Sequence, residues 1–232
     1  MQLLVHVACA LKSKRNYHHN FLHDCATEAF YIGFFDFELQ VTGANGNGFA
    51  HEIHNLDLHH NKIVRSGWDS IQVSSATTNS RVFDNYVEDF ATLNVVNQNN
   101  GIILQAGFKG DCFNNVIIQT RNGTGVCLLY QGSLGSNIFN NVIRAPVGGQ
   151  TGISASVSSV RTNPGTFLNI MHNTVISLGE RGISVFFQAP GPVPNTQKIQ
   201  NNVVTWRGSV AATWESISVN PTTGASISNV SS

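Results

Sequence analysis

The stretch Ile138-Phe139-Asn140-Asn141-Val142-Ile143 decides the fold, because the same phrase returns along the whole chain. A hydrophobic residue, a variable one, a polar pair ending in Asn and a further hydrophobic residue recur as Leu58-His59-His60-Asn61-Lys62-Ile63 and Val82-Phe83-Asp84-Asn85-Tyr86-Val87. They recur again as Cys112-Phe113-Asn114-Asn115-Val116-Ile117, Ile170-Met171-His172-Asn173-Thr174-Val175 and Ile199-Gln200-Asn201-Asn202-Val203-Val204, with a weaker early copy at Tyr17-His18-His19-Asn20-Phe21-Leu22. Successive copies lie between 24 residues (Asn61 to Asn85) and 41 residues (Asn20 to Asn61) apart. Self-similarity at such a period marks a solenoid, in which each coil stacks only on its neighbours.

Each Asn phrase is followed by a variable connection and a second hydrophobic beat, usually opened by Gly. These beats are Ala29-Phe30-Tyr31-Ile32, Ser70-Ile71-Gln72-Val73, Gly101-Ile102-Ile103-Leu104, Gly125-Val126-Cys127-Leu128, Gly152-Ile153-Ser154-Ala155 and Gly182-Ile183-Ser184-Val185. Both phrases alternate with period two and are rich in Val and Ile, so they predict short strands. No segment sustains a 3.6-residue period, which leaves helix nearly absent. A repeat running from Tyr17 to Val204 gives no room for a boundary, so residues 1–232 read as one domain. Stacked coils lie about 4.8 Å apart. Asn20, Asn61, Asn85, Asn115, Asn141, Asn173 and Asn202 therefore predict a ladder whose amides satisfy polar groups at the bend.

The pattern "I-x-N-N-x-I … G-I-x-V" resembles the right-handed parallel β-helix proteins of the pectate-lyase-like superfamily, from Tyr17 to Val204. The resemblance implies an all-β parallel β-helix of about seven to eight coils. It implies no single activity, because that fold hosts lyases, hydrolases, epimerases, adhesins and tailspikes.

Composition narrows the partners. Charged residues make up 11% of 232, with Lys+Arg 13 against Asp+Glu 13, so no basic footprint points to nucleic acid. No apolar run reaches the length of a membrane span. Met1 to Leu11 alternates as a strand would and has no basic n-region, which argues against a signal peptide. The chain is then expected to be truncated at one or both ends, from a parent that is extracellular or periplasmic. The four cysteines (Cys9, Cys25, Cys112, Cys127) have no C-x-x-C spacing. Cys112 fills a slot held elsewhere by Val82 and Ile138, which predicts a buried thiol.

Carboxylates concentrate in the N-terminal half, since only Glu180 and Glu215 follow Asp111. Just before the second beat, successive coils carry Glu28, Asp69, Asn100, Thr124, Thr151 and Arg181. Stacking would place Glu28 and Asp69 on adjacent rungs, where one carboxyl shifts the other's proton. Acid catalysis on glycosides requires such a pair. Polygalacturonase-like hydrolases of this fold carry aspartates at the start of the same strand, so the resemblance implies Glu28 and Asp69 as matching positions. The places that hold Asn-Thr-Asp, Gly-Asp-Asp and Gly-His-Gly in that family read Ala26-Thr27-Glu28, Gly67-Trp68-Asp69 and Asn99-Asn100-Gly101 here. The alternative role of both carboxyls is as polar turn residues.

The lyases of this fold imply a calcium site and an Arg or Lys base. The nearby supply is Lys109, Asp111 and Arg121, with Gln72 and Gln105 outward and Tyr130 just past a later strand. No oxygen-rich calcium signature is visible, so no cofactor is expected. On the hydrolase reading Glu28 and Asp69 act as acid and partner, Asn100 and Gln72 contact sugar hydroxyls, and Trp68 or Tyr31 stacks on a ring. Gln105, Lys109 and Arg121 complete the expected substrate contacts. The expected function is binding, with or without cleavage, of an extended polysaccharide along one face; the alternative is a non-catalytic adhesive or structural solenoid.

Three lesser features complete the reading. The variable slot before the Asn pair holds His18, His59, Phe83, Phe113, Phe139, Met171 and Gln200, which point outward. They would form an aromatic stack, a covered surface or a sugar platform. The connection Gly33 to Asn55 is long and Phe-rich, as a groove wall or a fastened insertion would be. Within it His51-Glu52-Ile53-His54 falls one residue short of H-E-x-x-H, and outside a helix its two His would not converge. Sequons stand at Asn122 and Asn229.

Overall fold

The computed structural model describes residues 14–35, 51–121, 125–132, 135–145, 150–158, 167–177, 181–188, 196–206, 217–220 and 225–228. The Asn phrase supplies two of three long sheets. Sheet A takes the strand before each Asn: Arg15–His18, Leu56–His59, Ser80–Phe83, Gly110–Phe113, Ser136–Phe139, Phe167–Met171, Thr196–Gln200 and Ala225–Ser228. Sheet B takes the strand after it: Phe21–Cys25, Lys62–Ser66, Tyr86–Glu88, Val116–Ile118, Val142–Ala145, Thr174–Ser177 and Val203–Trp206. The second beats build sheet C: Phe30–Ile32, Ile71–Val73, Asn100–Leu104, Gly125–Tyr130, Gln150–Ser158, Arg181–Gln188 and Ile217–Asn220. Every pairing is parallel and in chain order, so the molecule is a right-handed parallel β-helix. No helix among the described residues is long and apolar enough to cross a membrane.

The core is three sets of inward columns. Leu58, Val82, Cys112, Ile138 and Ile170 stack from sheet A, Ile63, Val87, Ile117, Ile143 and Val175 from sheet B, and Ile71, Ile102, Leu128, Ile153 and Ile183 from sheet C; all are fully buried. Each such side chain contributes about 1.5–3 kcal/mol on burial. Cys112 and Cys127 are free buried thiols and Cys25 is free and half-buried, in line with the expectation for Cys112, whose thiol is pushed upward in pKa by burial. Cys9 lies outside the described residues, as do residues 1–13 and the sequon asparagines.

The turn from sheet A to sheet B carries the ladder at all seven expected asparagines. The residue before each ladder Asn takes the left-handed backbone, with φ between 53° and 57° at His19, His60, Asp84, Asn114, Asn140, His172 and Asn201. This turn presents the next side chain inward. Asn115 Nδ2 donates to Asn141 Oδ1 (3.0 Å) and to the Val82 carbonyl of the preceding coil (3.0 Å), while its own Oδ1 accepts from Asn85 N (3.1 Å) and Asn85 Nδ2 (3.0 Å). The same arrangement links Asn20 through Asn61, Asn85, Asn141 and Asn173 to Asn202. The amide is thereby satisfied at every coil, which is why the same residue type recurs down the column.

The long connection from Gly33 is described only at its ends. Phe34 and Phe35 are partly exposed and face each other at 5.1 Å, with the Phe34 N–H donating to Ser75 Oγ at 3.2 Å. Phe37 and Phe49 lie outside the described residues. Ile53–His54 pairs with Ala76–Thr78 as a small strand, and His54 Nε2 lies 2.8 Å from Glu52 Oε2.

Candidate functional site

The corner where sheet B turns into sheet C gathers the expected acidic column. The pairings Phe30↔Ile71 and Ile71↔Ile102 set Glu28, Asp69 and Asn100 on successive rungs. The next rung differs from expectation. Asn100 pairs with Val126, and Val126 with Thr151, which in turn pairs with Arg181. Val126 therefore occupies the place expected for Thr124, which is itself outside the described residues. The reason is a two-residue offset: Gly125 opens its strand early, and Cys127 stands opposite Gly101 and Gly152.

Gly101 lies close against the core where the coil turns into its strand. A Cβ there would meet Ile117 Cγ2 at 2.9 Å and Phe90 Cε1 at 3.1 Å, both core atoms, and one at Gly152 would meet Val175 Cγ1 at 2.4 Å. The glycine rung faces the core, and so does the Ile102 rung beside it, so strict alternation is broken where the strand begins. Glu28 (6% exposed), Asp69 (0%) and Asn100 (3%) are buried. Their cover is the connection ahead of Asn100, tied down by backbone hydrogen bonds from Ala91 N to the Trp68 carbonyl and from Leu93 N to the Gly67 carbonyl, both 3.1 Å. With its amide nitrogen turned inward, Gln98 donates to Glu28 Oε1 (3.0 Å) and Asp69 Oδ2 (3.3 Å). Asp69 Oδ1 accepts from the Asn100 backbone N–H at 2.6 Å and from Asn100 Nδ2 at 3.0 Å.

Burial pushes the Asp69 carboxyl up to about 7; the two Asn100 hydrogen bonds restrain the rise and the neighbouring Glu28 adds to it. Near neutral pH this carboxyl is part protonated beside a second carboxyl, the electronic arrangement of an acid pair. Its access is the opposite of a hydrolase's, since both Asp69 oxygens are engaged and none of the side chain meets solvent. Sequence reasoning missed Gln98. The only signal is its place two residues before Asn100 in a connection whose path no periodicity reveals.

The expected sugar contacts divide into three places. Tyr31 pairs with Gln72 and Gln72 with Ile103 on the outer side of sheet C. There Gln72 Nε2 donates to Gln105 Oε1 (2.9 Å), which also accepts from Ser74 Oγ (3.0 Å). Gln72 is 2% exposed, and its own Oε1 has no hydrogen-bond partner. Arg121 lies at the B-to-C corner, lining a shallow depression of about 290 Å³ with Arg65, Gly67 and Leu93. Trp68 is half-buried at the same corner. Lys109 sits beyond the far end of the strand that Asn100 opens, so it does not join the carboxyls. Asp111 accepts from Asn137 Nδ2 (2.7 Å) in a polar row on sheet A, and Tyr130 is a buried core residue inside its strand rather than past it.

The outward aromatic row is a continuous stack. Ring centroids lie 5.0 Å apart from His18 to His59, 4.6 Å from His59 to Phe83, 5.0 Å from Phe83 to Phe113 and 4.9 Å from Phe113 to Phe139. Planes tilt by 6° to 13°, so the rings cover one another's faces and present edges outward. Among the described residues no group of three or more His, Cys, Asp or Glu is arranged to hold a metal ion.

No family model matches this chain, and no curated protein or solved structure matches it significantly.

Proposed function

We propose that the protein belongs with the pectate-lyase-like β-helices and binds an extended polysaccharide along the outer side of sheet C. The observation that carries this reading is Gln72. An amide oxygen that is buried without a donor costs about 1–3 kcal/mol, and a sugar hydroxyl relieves it once the cover over Gln72 on the outer side of the sheet gives way. Gln105 Oε1, itself held by Ser74 Oγ, already fixes the Gln72 side chain through its nitrogen, so the oxygen is oriented before any ligand arrives. Tyr31 on the adjacent rung adds an aromatic contact, and a row of rungs suits a repeating polymer.

Cleavage is the second reading, favoured by the raised Asp69 carboxyl beside Glu28. It requires the connection bearing Gln98 to lift and admit substrate. Affinity electrophoresis over neutral and acidic polysaccharides, with reducing-end and unsaturated-product assays, separates the two. Binding is expected to weaken at least about tenfold in Gln72→Leu, with thermal stability retained. Asp69→Asn is expected to leave binding intact. Retention of no polysaccharide, or unchanged binding by Gln72→Leu, sinks the binding reading. Turnover that disappears in Asp69→Asn replaces it with the catalytic one.

A further inference from the structure

The outer side of sheet B is a flat ladder two residues wide, and it carries four of the nine large hydrophobics that stand exposed among the described residues: Phe21 (62%), Val142 (46%), Ile176 (39%) and Val203 (53%). Sheet A differs, because its outward side chains bond one another along the stack. We propose that sheet B is the self-association surface of a two-fold dimer, each copy laying this face against the same face of a second copy.

The pattern is self-complementary about its middle rung. Seven strands make the sheet, and Val116–Ile118 is the fourth in its order. A two-fold axis along that strand, in the plane between two facing sheets, preserves position along the strand and inverts the order of rungs. Val116 and Ile118 then meet their own copies. One rung away, Tyr86 meets Val142 and Glu88 meets Arg144, because Glu88↔Ile118 and Ile118↔Arg144 place all three in one column. Two rungs away, Val64 meets Ile176, and at the ends Phe21 meets Val203. Lys62, held over the Phe21 and Tyr86 rings at 5.6 and 5.5 Å, meets Thr174. Within these two columns no like charges oppose each other, and Glu88 meets a cation twice in each dimer. Such reciprocity is what an isologous interface demands.

The size sets the strength. Seven rungs at about 4.8 Å and strands about 13 Å wide give a flat footprint of roughly 450 Å² per copy. That is the low end for specific association, so the dimer is reversible, with a Kd of about 10 μM or weaker.

Sedimentation equilibrium over about three decades of concentration tests this. The parent chain is expected to pass from monomer to dimer. Arg144→Glu and Glu88→Arg each set like charges against each other twice, and each is expected to raise Kd at least about tenfold. Mixing the two single variants is expected to restore association. In the mixed pair one copy carries two cations and the other two anions at these positions, so both contacts join opposite charges. Thermal melts of each variant confirm folding, since both positions face outward. A parent chain that stays monomeric throughout overturns the proposal. So does Arg144→Glu that dimerises as well as the parent, or a mixture no better than its parts; either result assigns the face to another occupant, such as a segment of the same chain.

Discussion

The two corners of each coil follow opposite rules. At the turn from sheet A to sheet B, one neutral amide repeats from Asn20 to Asn202, buried from Asn61 onward and bonded to the next in the same way along the ladder. At the turn from sheet B to sheet C the matching slot changes from Glu28 to Asp69, Asn100, Val126, Thr151 and Arg181. A position that repeats is answering the same mechanical need in every coil. A position that departs from repetition, and buries charge in doing so, is free of that need and costs stability to keep. The first corner makes the solenoid, whereas the second distinguishes this solenoid from others.

The largest effect should come from breaking the repeated corner. Asn115→Ala removes the acceptor of Asn85 N and Asn85 Nδ2 and the donor to the Val82 carbonyl, so three buried groups each lose a hydrogen bond, Asn85 Nδ2 keeping only the one to the Leu58 carbonyl. At about 1–3 kcal/mol for each, the loss is roughly 5 kcal/mol, comparable with the whole stability of an ordinary domain. Urea denaturation should show it directly. Asn20→Ala, at the half-buried end of the ladder, should cost about 1 kcal/mol by the same measurement. Equal losses at both positions would mean that the ladder does not act as a buried column.

The variable corner should reveal itself through pH. The Asp69 carboxyl stands at about 7 in the folded chain against an ordinary value of 3.8, so the folded state holds a proton that the unfolded state releases. Its contribution is complete below about pH 4 and is lost as pH rises to about 7, amounting to roughly 4 kcal/mol across that window. Asp69→Asn keeps an acceptor for Asn100 and titrates nowhere in the range. The variant should therefore gain on the parent steadily between pH 4 and 7 and stop gaining above it. Parallel stability curves for the two proteins would show that the carboxyl is not raised.

What could be read beforehand follows the same division. All seven ladder asparagines were legible, because each coil restates the same hydrogen-bonding problem and the answer recurs in the letters. Glu28, Asp69 and Asn100 were legible as a column for the same reason. The next rung was not: Gly125 imitates Gly101, yet the strand begins two residues early and Cys127 takes the glycine's rung. The burial of the carboxyls was also hidden, since the chain that covers them lies outside the repeated strands. Gln98 enters from a connection fixed by backbone bonds to Trp68 and Gly67, a tertiary fact without a periodic trace.

A smaller effect than either corner's separates a repeated column from a binding surface on the outside of the molecule. Phe83, Phe113 and Phe139 look like a sugar platform in the sequence, but their faces lie against one another at 5.0 and 4.9 Å with planes 6° apart. A sugar ring packs on an aromatic face, and in this row only edges reach solvent. Phe113 is therefore packing on the outer side of sheet A, half-buried between its neighbours. Phe113→Ala should cost about 1–2 kcal/mol in urea denaturation, because two ring contacts and part of the ring's burial are lost together. Polysaccharide retention should not change, whereas Gln72→Leu on sheet C should reduce it with little effect on stability. If Phe113→Ala instead abolishes retention while the fold keeps its full stability, the glycan lies on sheet A, and a column that repeats would then be serving recognition as well as architecture.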